Sequence, residues 1–199
     1  DLWAVVGEAD DQTLSEAVGQ AVAARILAET TDGHGVRFAH ALVRAALYEA
    51  TPLPRRRILH RRAAEALLAT PTPASEYPDP DAVAGHLQRA GDPRAAAWLI
   101  RAGVRAWRSY AWLTAADRYE AALALTEHVG MDPGERARLL QMLAQFWRYE
   151  DRHRGLAHLD EAERLALAAG DDALVAAVRF DRGHLRLLTS DVRAVAERP

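Results

Sequence analysis

Apolar residues recur at helical spacing along most of the chain, and the breaks between the periodic stretches are short and rich in glycine, proline and aspartate. Leu14, Val18, Ala21, Val22 and Ile26 fall on one face of a helix predicted over 12–29, with Asp10, Asp11 and Thr13 as candidate N-caps. A polar turn from Thr30 to Gly35 follows, where Gly33 and Gly35 let the chain reverse. Val36, Arg37 and Phe38 then alternate in-out-in as a short strand. Helix, turn and short hairpin strand together are the pattern expected at the end of a winged-helix module.

Past His40 the predicted helix carries Leu42, Val43, Ala46, Leu47 and Ala50 on one face, until Pro52 and Pro54 end it. The next runs from about Pro54 to Ala69, with Ile58, Leu59, Ala63, Ala66 and Leu67 as its expected buried stripe. Pro71, Pro73, Pro78 and Pro80 mark residues 70–81 as the best linker candidate. Beyond Asp81 only helices are predicted, over 81–90, 93–109, 112–129, 134–150, 152–169 and 171–189, with a further start at 191. Short links at Gly91-Asp92-Pro93, at Gly130 to Gly134 and at Gly170-Asp171-Asp172 predict antiparallel neighbours. The expected organisation is a winged-helix remnant with its following helices over 1–70, a Pro-rich linker over 71–81, and helical repeats over 82–199, the last one truncated.

The repeats carry an internal similarity. Leu99, Ala102, Gly103 and Ala106 pair with Ala115, Tyr119 and Ala122 in a spacing like that of tetratricopeptide repeats. Small residues let two helices approach, and an aromatic ring fills the gap between them. A shift of about 40 residues gives Leu139, Met142, Leu143 and Phe146, then Gly155, Leu159 and Ala162. A second shift reaches Gly183, where Arg179 and Arg186 break the match. The predicted fold class is mainly α, a winged-helix remnant followed by a TPR-like α-solenoid wound as a right-handed superhelix with a concave face.

Composition narrows the function. Half of the 199 residues are apolar and 27% are charged, a globular balance. Every one of the 25 basic residues is Arg, and with so much Ala this points to a GC-rich genome rather than to arginine chemistry. The net charge of -3 argues against a global nucleic-acid surface. No apolar run approaches the ~20 residues that span a bilayer. Without Cys there are no disulfides or thiolate metal sites. The chain begins at Asp1 rather than Met and is read as a piece of a longer protein.

Three stretches resemble one family. Val36-Arg37-Phe38-Ala39-His40-Ala41-Leu42-Val43-Arg44-Ala45-Ala46-Leu47-Tyr48 resembles an F-x-H-x-L-hydrophobic-R-x-x-hydrophobic-Y signature. Arg55-Arg56-Arg57-Ile58-Leu59-His60-Arg61-Arg62-Ala63-Ala64-Glu65-Ala66-Leu67 resembles the helix that follows it, and His86-Leu87-Gln88-Arg89-Ala90-Gly91-Asp92 resembles an H-hydrophobic-x-x-A-G-D entry to helical repeats. The family is that of the large ATP-binding LuxR-type transcription regulators, MalT-like in layout and belonging to the STAND class of signal-transduction NTPases. The resemblance implies a bacterial, cytoplasmic protein in which an upstream P-loop NTPase module binds ATP or ADP. A winged helix and helical repeats follow it, and DNA is met only through a domain outside this chain. It implies no cofactor within these residues, no membrane partner and no enzymatic activity of the segment itself.

The candidate residues follow from this. His40 stands where related switch NTPases place the His of a Met-His-Asp motif against the β-phosphate of ADP, although Ala39 and Ala41 flank it here. Its role in the intact protein would be nucleotide sensing; the plainer reading is a residue that caps its helix. Arg55, Arg56 and Arg57 are candidate phosphate or interdomain contacts, set against a solvated helix surface. Trp107, Tyr110 and Trp112, at an inter-helix turn, are the candidate contacts for an effector, small molecule or protein, and are expected to be more exposed than Trp98. His153, His158 and Glu161 lack the H-E-x-x-H arrangement of a zinc hydrolase, so no metal and no catalytic residues are assigned. Glu161 and Glu163 with Arg164 read as an exposed helix face. The function expected is regulatory: effector or partner binding on the repeats, coupled to a nucleotide switch that controls transcription. The alternative is a TPR-type protein–protein interaction scaffold of a cyclase- or kinase-linked protein, without nucleotide linkage.

Overall fold

The computed structural model describes residues 6, 7, 9–31, 35–69 and 78–196, and the side chains of 128–129, 149–150 and 188–196 fall outside that description. Gly33, Pro71 and Pro73, assigned by sequence to a turn and a linker, lie outside the described residues. Those described are mainly helical, with nine helices and one two-stranded antiparallel hairpin. In chain order these are α1 (Asp11–Ala23), β1 (Leu27–Glu29), β2 (Val36–Phe38), α2 (Ala41–Ala50), α3 (Leu53–Ala69), α4 (Pro80–Ala90), α5 (Ala95–Arg108), α6 (Trp112–Val129), α7 (Pro133–Glu150), α8 (Arg152–Ala169) and α9 (Asp172–Ala196). Among the described residues no helix is long and apolar enough to cross a membrane.

The chain forms two compact units, Asp1–Ala95 and Ala96–Pro199. The division differs from the one expected at the Pro-rich stretch, because α4 packs on α3 within the first unit. Val83, Ala84, Leu87 and Ala90 of α4 are buried, as are Ala63, Ala64 and Ala66 of α3. Pro80 opens α4 at a position whose N–H would have no helical partner, and Asp79 accepts from the Asp81 N–H at 3.0 Å.

Several boundaries in the first unit depart from the sequence pattern. The helix expected over 12–29 stops at Ala23. Arg25 takes a left-handed φ of 57°, the Ile26 N–H donates to the Ala21 carbonyl and the Arg25 N–H to that of Val22. That is a Schellman ending made without glycine. It frees Leu27–Glu29 to pair with Val36–Phe38 in the register Leu27↔Phe38, Ala28↔Arg37, Glu29↔Val36. Thr30 closes the hairpin, its hydroxyl accepting from the Gly35 N–H at 2.9 Å. The apolar face of α2 is not buried: Leu42 is 84% exposed, and Leu47 and Tyr48 are exposed too. Ile58 of α3 is likewise exposed, because α4 covers the alanine side of that helix.

In the second unit two helix pairs pack closely around glycines. A Cβ on Gly103 of α5 would lie 2.4 Å from Cε1 of Tyr119 on α6. Tyr119 is 0% exposed and fills the space that the glycine leaves. Gly155 of α8 brings that helix against α7, where an added Cβ would stand 3.4 Å from the Ala144 carbonyl oxygen and 3.1 Å from Leu185 of α9. Leu99, Ala102, Ala115, Ala122, Leu139, Leu143, Leu159 and Ala162, placed inside by the repeat pattern, are all buried. Gly183 does not share the role of Gly103 and Gly155; no neighbour comes within 4 Å of where its Cβ would be. The expected break near residue 190 is absent, and α9 runs on to Ala196, since neither glycine nor proline occurs between His184 and Ala196.

Aspartates cap α7, α8 and α9. Asp132 accepts from the Glu135 N–H, Asp151 from that of Arg154 and Asp171 from that of Leu174, each at 3.0 Å. Gly130 and Gly170, at φ 84° and 69°, stop the helices before them.

The two glycines separate packing from helix propensity. Gly103→Ala is expected to cost about 1–3 kcal/mol through the clash with Tyr119. Gly183→Ala is expected to stabilise by about 0.5–1 kcal/mol, since its site is open and α9 gains a better helix former. Urea denaturation of both variants checks the opposite signs.

Candidate functional site

In the first unit the three sequence stretches singled out above meet. Tyr48 at the end of α2, His60 on α3 and His86 on α4 form a line: the Tyr48 hydroxyl is 3.1 Å from His60 Nε2, and His60 Nδ1 is 2.9 Å from His86 Nδ1. Two imidazole nitrogens at that distance require one proton between them, so one ring donates and the other accepts. If His60 donates to His86, its Nε2 accepts from Tyr48; if His86 donates, His60 Nε2–H donates to the Tyr48 oxygen. Either direction leaves the line complete with both rings neutral. Two charged rings would place proton against proton.

The surroundings favour the neutral state. Burial lowers the pKa of His60, and His86, Arg89 and Arg56 lower it further. Burial and then Arg89 do the same for His86. The Arg56 guanidinium lies 4.9 Å from the Tyr48 ring centre, which turns it toward α2.

The Ala90-Gly91-Asp92 end of the third stretch has a construction role. Gly91 takes the left-handed φ of 70° that ends α4, and its N–H donates to Gln88. Asp92 is buried and accepts from the Arg94 backbone N–H at 2.9 Å, from Arg94 Nε at 3.0 Å and from Arg94 Nη2 at 2.7 Å. Arg61 of α3 adds an ion pair at 3.7 Å. The side-chain hydrogen bonds from Arg94 hold the Asp92 carboxyl below the usual range. The arginine-rich helix is thus divided in its tasks: Arg56 serves Tyr48, Arg61 serves Asp92, and Arg55 and Arg57 are exposed.

His40 is the N-cap residue of α2, in extended conformation, and makes no side-chain capping bond. Its backbone carbonyl accepts from the Arg44 N–H, while its imidazole is exposed.

In the second unit Trp107 and Trp112 line a cavity of about 510 Å³. Its other walls come from Leu113 and Ala116 of α6 and from Gln145, Phe146, Trp147 and Arg148 of α7. The rings meet edge to face, Trp107 with Trp112 at 5.5 Å and 82° and Trp107 with Phe146 at 5.3 Å and 74°. Tyr110 packs on Trp112 at 5.6 Å and is 77% exposed at a left-handed φ of 59°, so it stands beside the cavity instead of lining it. Trp98 is buried, with Arg101 over its ring at 4.4 Å. Arg154 covers Trp147 at 4.1 Å.

Sequence reading placed the aromatic turn but missed the α7 wall. The repeat pattern assigns Phe146 to packing alone and does not single out Gln145, Trp147 or Arg148. The available signal was a second aromatic pair about one repeat period after Trp107. Glu161 and Glu163 of α8, expected on an exposed face, are half-buried. Glu163 accepts from both Arg179 and Arg182 of α9, and Glu161 pairs with Arg136 of α7 at 3.0 Å. These acids face neighbouring helices because α8 has one on each side.

Because the folded histidines resist protonation that the unfolded chain accepts near pH 6.5, their contribution is complete above that pH and is lost as pH falls through their lowered values. The urea midpoint is therefore expected to drop between about pH 7.5 and pH 5.5, and His86→Gln, which keeps an acceptor but cannot ionise, is expected to flatten that drop. Asp92→Ala removes a cap and a buried acceptor set and is expected to cost about 1–3 kcal/mol at neutral pH, read by the same denaturation. Comparison with family models, with curated proteins and with solved structures finds no match to this chain.

Proposed function

We propose that this chain is the regulatory segment of a multidomain signal-transduction NTPase that controls transcription in the bacterial cytoplasm. In this reading the first unit carries a winged-helix remnant and the second a TPR-like array. ATP or ADP is held by a module outside the chain. The supporting observation is that Tyr48, His60 and His86, one from each stretch with the family's pattern, form one hydrogen-bonded line, and that Asp92 of the third stretch is ion-paired with Arg61 of the second. Three sequence patterns that share one packing role are better explained as parts of a single module than as separate coincidences.

His40 suits a nucleotide-sensing role in the intact protein. It sits at the N-terminus of α2, where a phosphate is favoured, and its imidazole is exposed and not used to cap the helix. Effector binding belongs to the aromatic cavity of the second unit. An effector shifts the switch only by the difference in its affinity for the two nucleotide states.

In the parent protein, His40→Ala is expected to speed ADP release and raise basal transcription several-fold, followed with fluorescent ADP and a reporter gene. Unchanged ADP retention removes His40 from the switch. A parent chain that binds no adenine nucleotide leaves the nucleotide-independent scaffold as the function.

A further inference from the structure

We propose that the cavity between α6 and α7 takes an uncharged planar aromatic molecule, which lies among Trp107, Trp112 and Phe146 and is covered at its edge by Tyr110. The inference rests on the reading of the second unit as an effector-binding array and gives that effector a chemical class. The volume of about 510 Å³ lies within the range of small-molecule sites.

Charge decides first. Among the described lining residues none is a carboxylate, and the one cation, Arg148, is already engaged. Its Nη1 donates to Gln145 Oε1 at 3.2 Å, it has further interactions, and it also lines a smaller pocket beside Asp181 and His184. The Trp147 indole N–H is occluded and offers the cavity no donor. A charged ligand would lose water here without gaining a counter-ion, and a neutral one escapes that cost.

Shape decides next. Trp112 and Phe146 stand at 82° and 74° to Trp107, with ring centres 5.5 and 5.3 Å from it. The rings form a corner in which a flat ligand stacks on one wall and presents its edge to the other, the two arrangements that aromatic pairs prefer. A saturated ring covers the same area without that gain.

Tyr110 supplies an independent sign. The helix α5 ends in a Schellman turn, in which the Ala111 N–H donates to the Ala106 carbonyl and the Tyr110 N–H to that of Trp107, each at 2.9 Å. Tyr110 holds the left-handed position of this turn, at φ 59°, where glycine sits without strain. Its ring is 77% exposed and meets Trp112 at 5.6 Å. The strained backbone thus keeps at the cavity's edge a ring that adds little to the core, and strain of this kind collects at ligand clamps.

The test is calorimetric titration of the 199-residue chain with 2-naphthamide, 2-naphthoate, 2-naphthylmethylammonium and decahydronaphthalene-2-carboxamide, which vary charge and planarity separately. The neutral 2-naphthamide is expected to bind about tenfold more tightly than either ion and several-fold more tightly than the saturated amide. Trp107→Leu is expected to weaken it about tenfold and to erase the preference over the saturated amide. Tyr110→Gly is expected to raise the urea midpoint yet weaken 2-naphthamide several-fold, and it serves if Trp107→Leu does not fold. Equal or tighter binding of an ion, or of the saturated amide, overturns the neutral planar class and leaves the cavity as an effector site. Unchanged binding in the folded variants overturns the placement among these rings. Absence of binding by all four probes overturns both the class and the cavity's role.

Discussion

The ring of Tyr119 occupies space that any side chain at position 103 would need, and this exclusion sets the spacing of α5 and α6. The fit has a cost. The Tyr119 hydroxyl is buried without a hydrogen-bond partner, and burial pushes its pKa up to about 12. Full burial of the ring offsets that cost, and its contact with Phe146 at 6.0 Å carries the packing on to α7. Gly155 repeats the device between α7 and α8, against a backbone carbonyl instead of a ring. The aromatic cavity depends on the same layer, because Phe146 touches Tyr119 on one side and Trp107 on the other.

Charged residues in this unit orient helices that apolar contact already joins. Glu163 meets Arg179 and Arg182, Glu161 meets Arg136, and Glu120 meets Arg154, each across a helix–helix boundary. Partly exposed pairs of this kind add little net stability individually. Their geometric effect is larger, since a helix that rotates on its apolar stripe must separate several of them at once.

The first unit relies on polar contacts to a greater degree. Its α2 buries no residue, so the link of that helix to α3 runs through Tyr48, His60 and Arg56. The single proton shared by His60 and His86 makes the α3–α4 junction sensitive to charge in a way that the alanine contacts beside it are not. Asp92 has the reverse preference, holding its negative charge through Arg94 and Arg61.

The sequence by itself determined which segments are helical and where most of them end, because period, capping aspartates and left-handed glycines are local properties. It also placed Leu99, Tyr119, Leu143 and Leu159 inside, since repeat spacing fixes the inward face. It named Trp107 and Trp112 but not Trp147 or Arg148, because a cavity wall joins residues more than thirty positions apart and periodicity carries no such pairing. Arg25 ended α1 without a glycine, so β1 was hidden in an apparently continuous helix. The exposed faces of α2 and α3 could not be read either: a stripe states that a face is apolar, not that a neighbour covers it. Only the tertiary structure decided those matters, along with the His60–His86 contact, because each depends on which helices meet and at what distance.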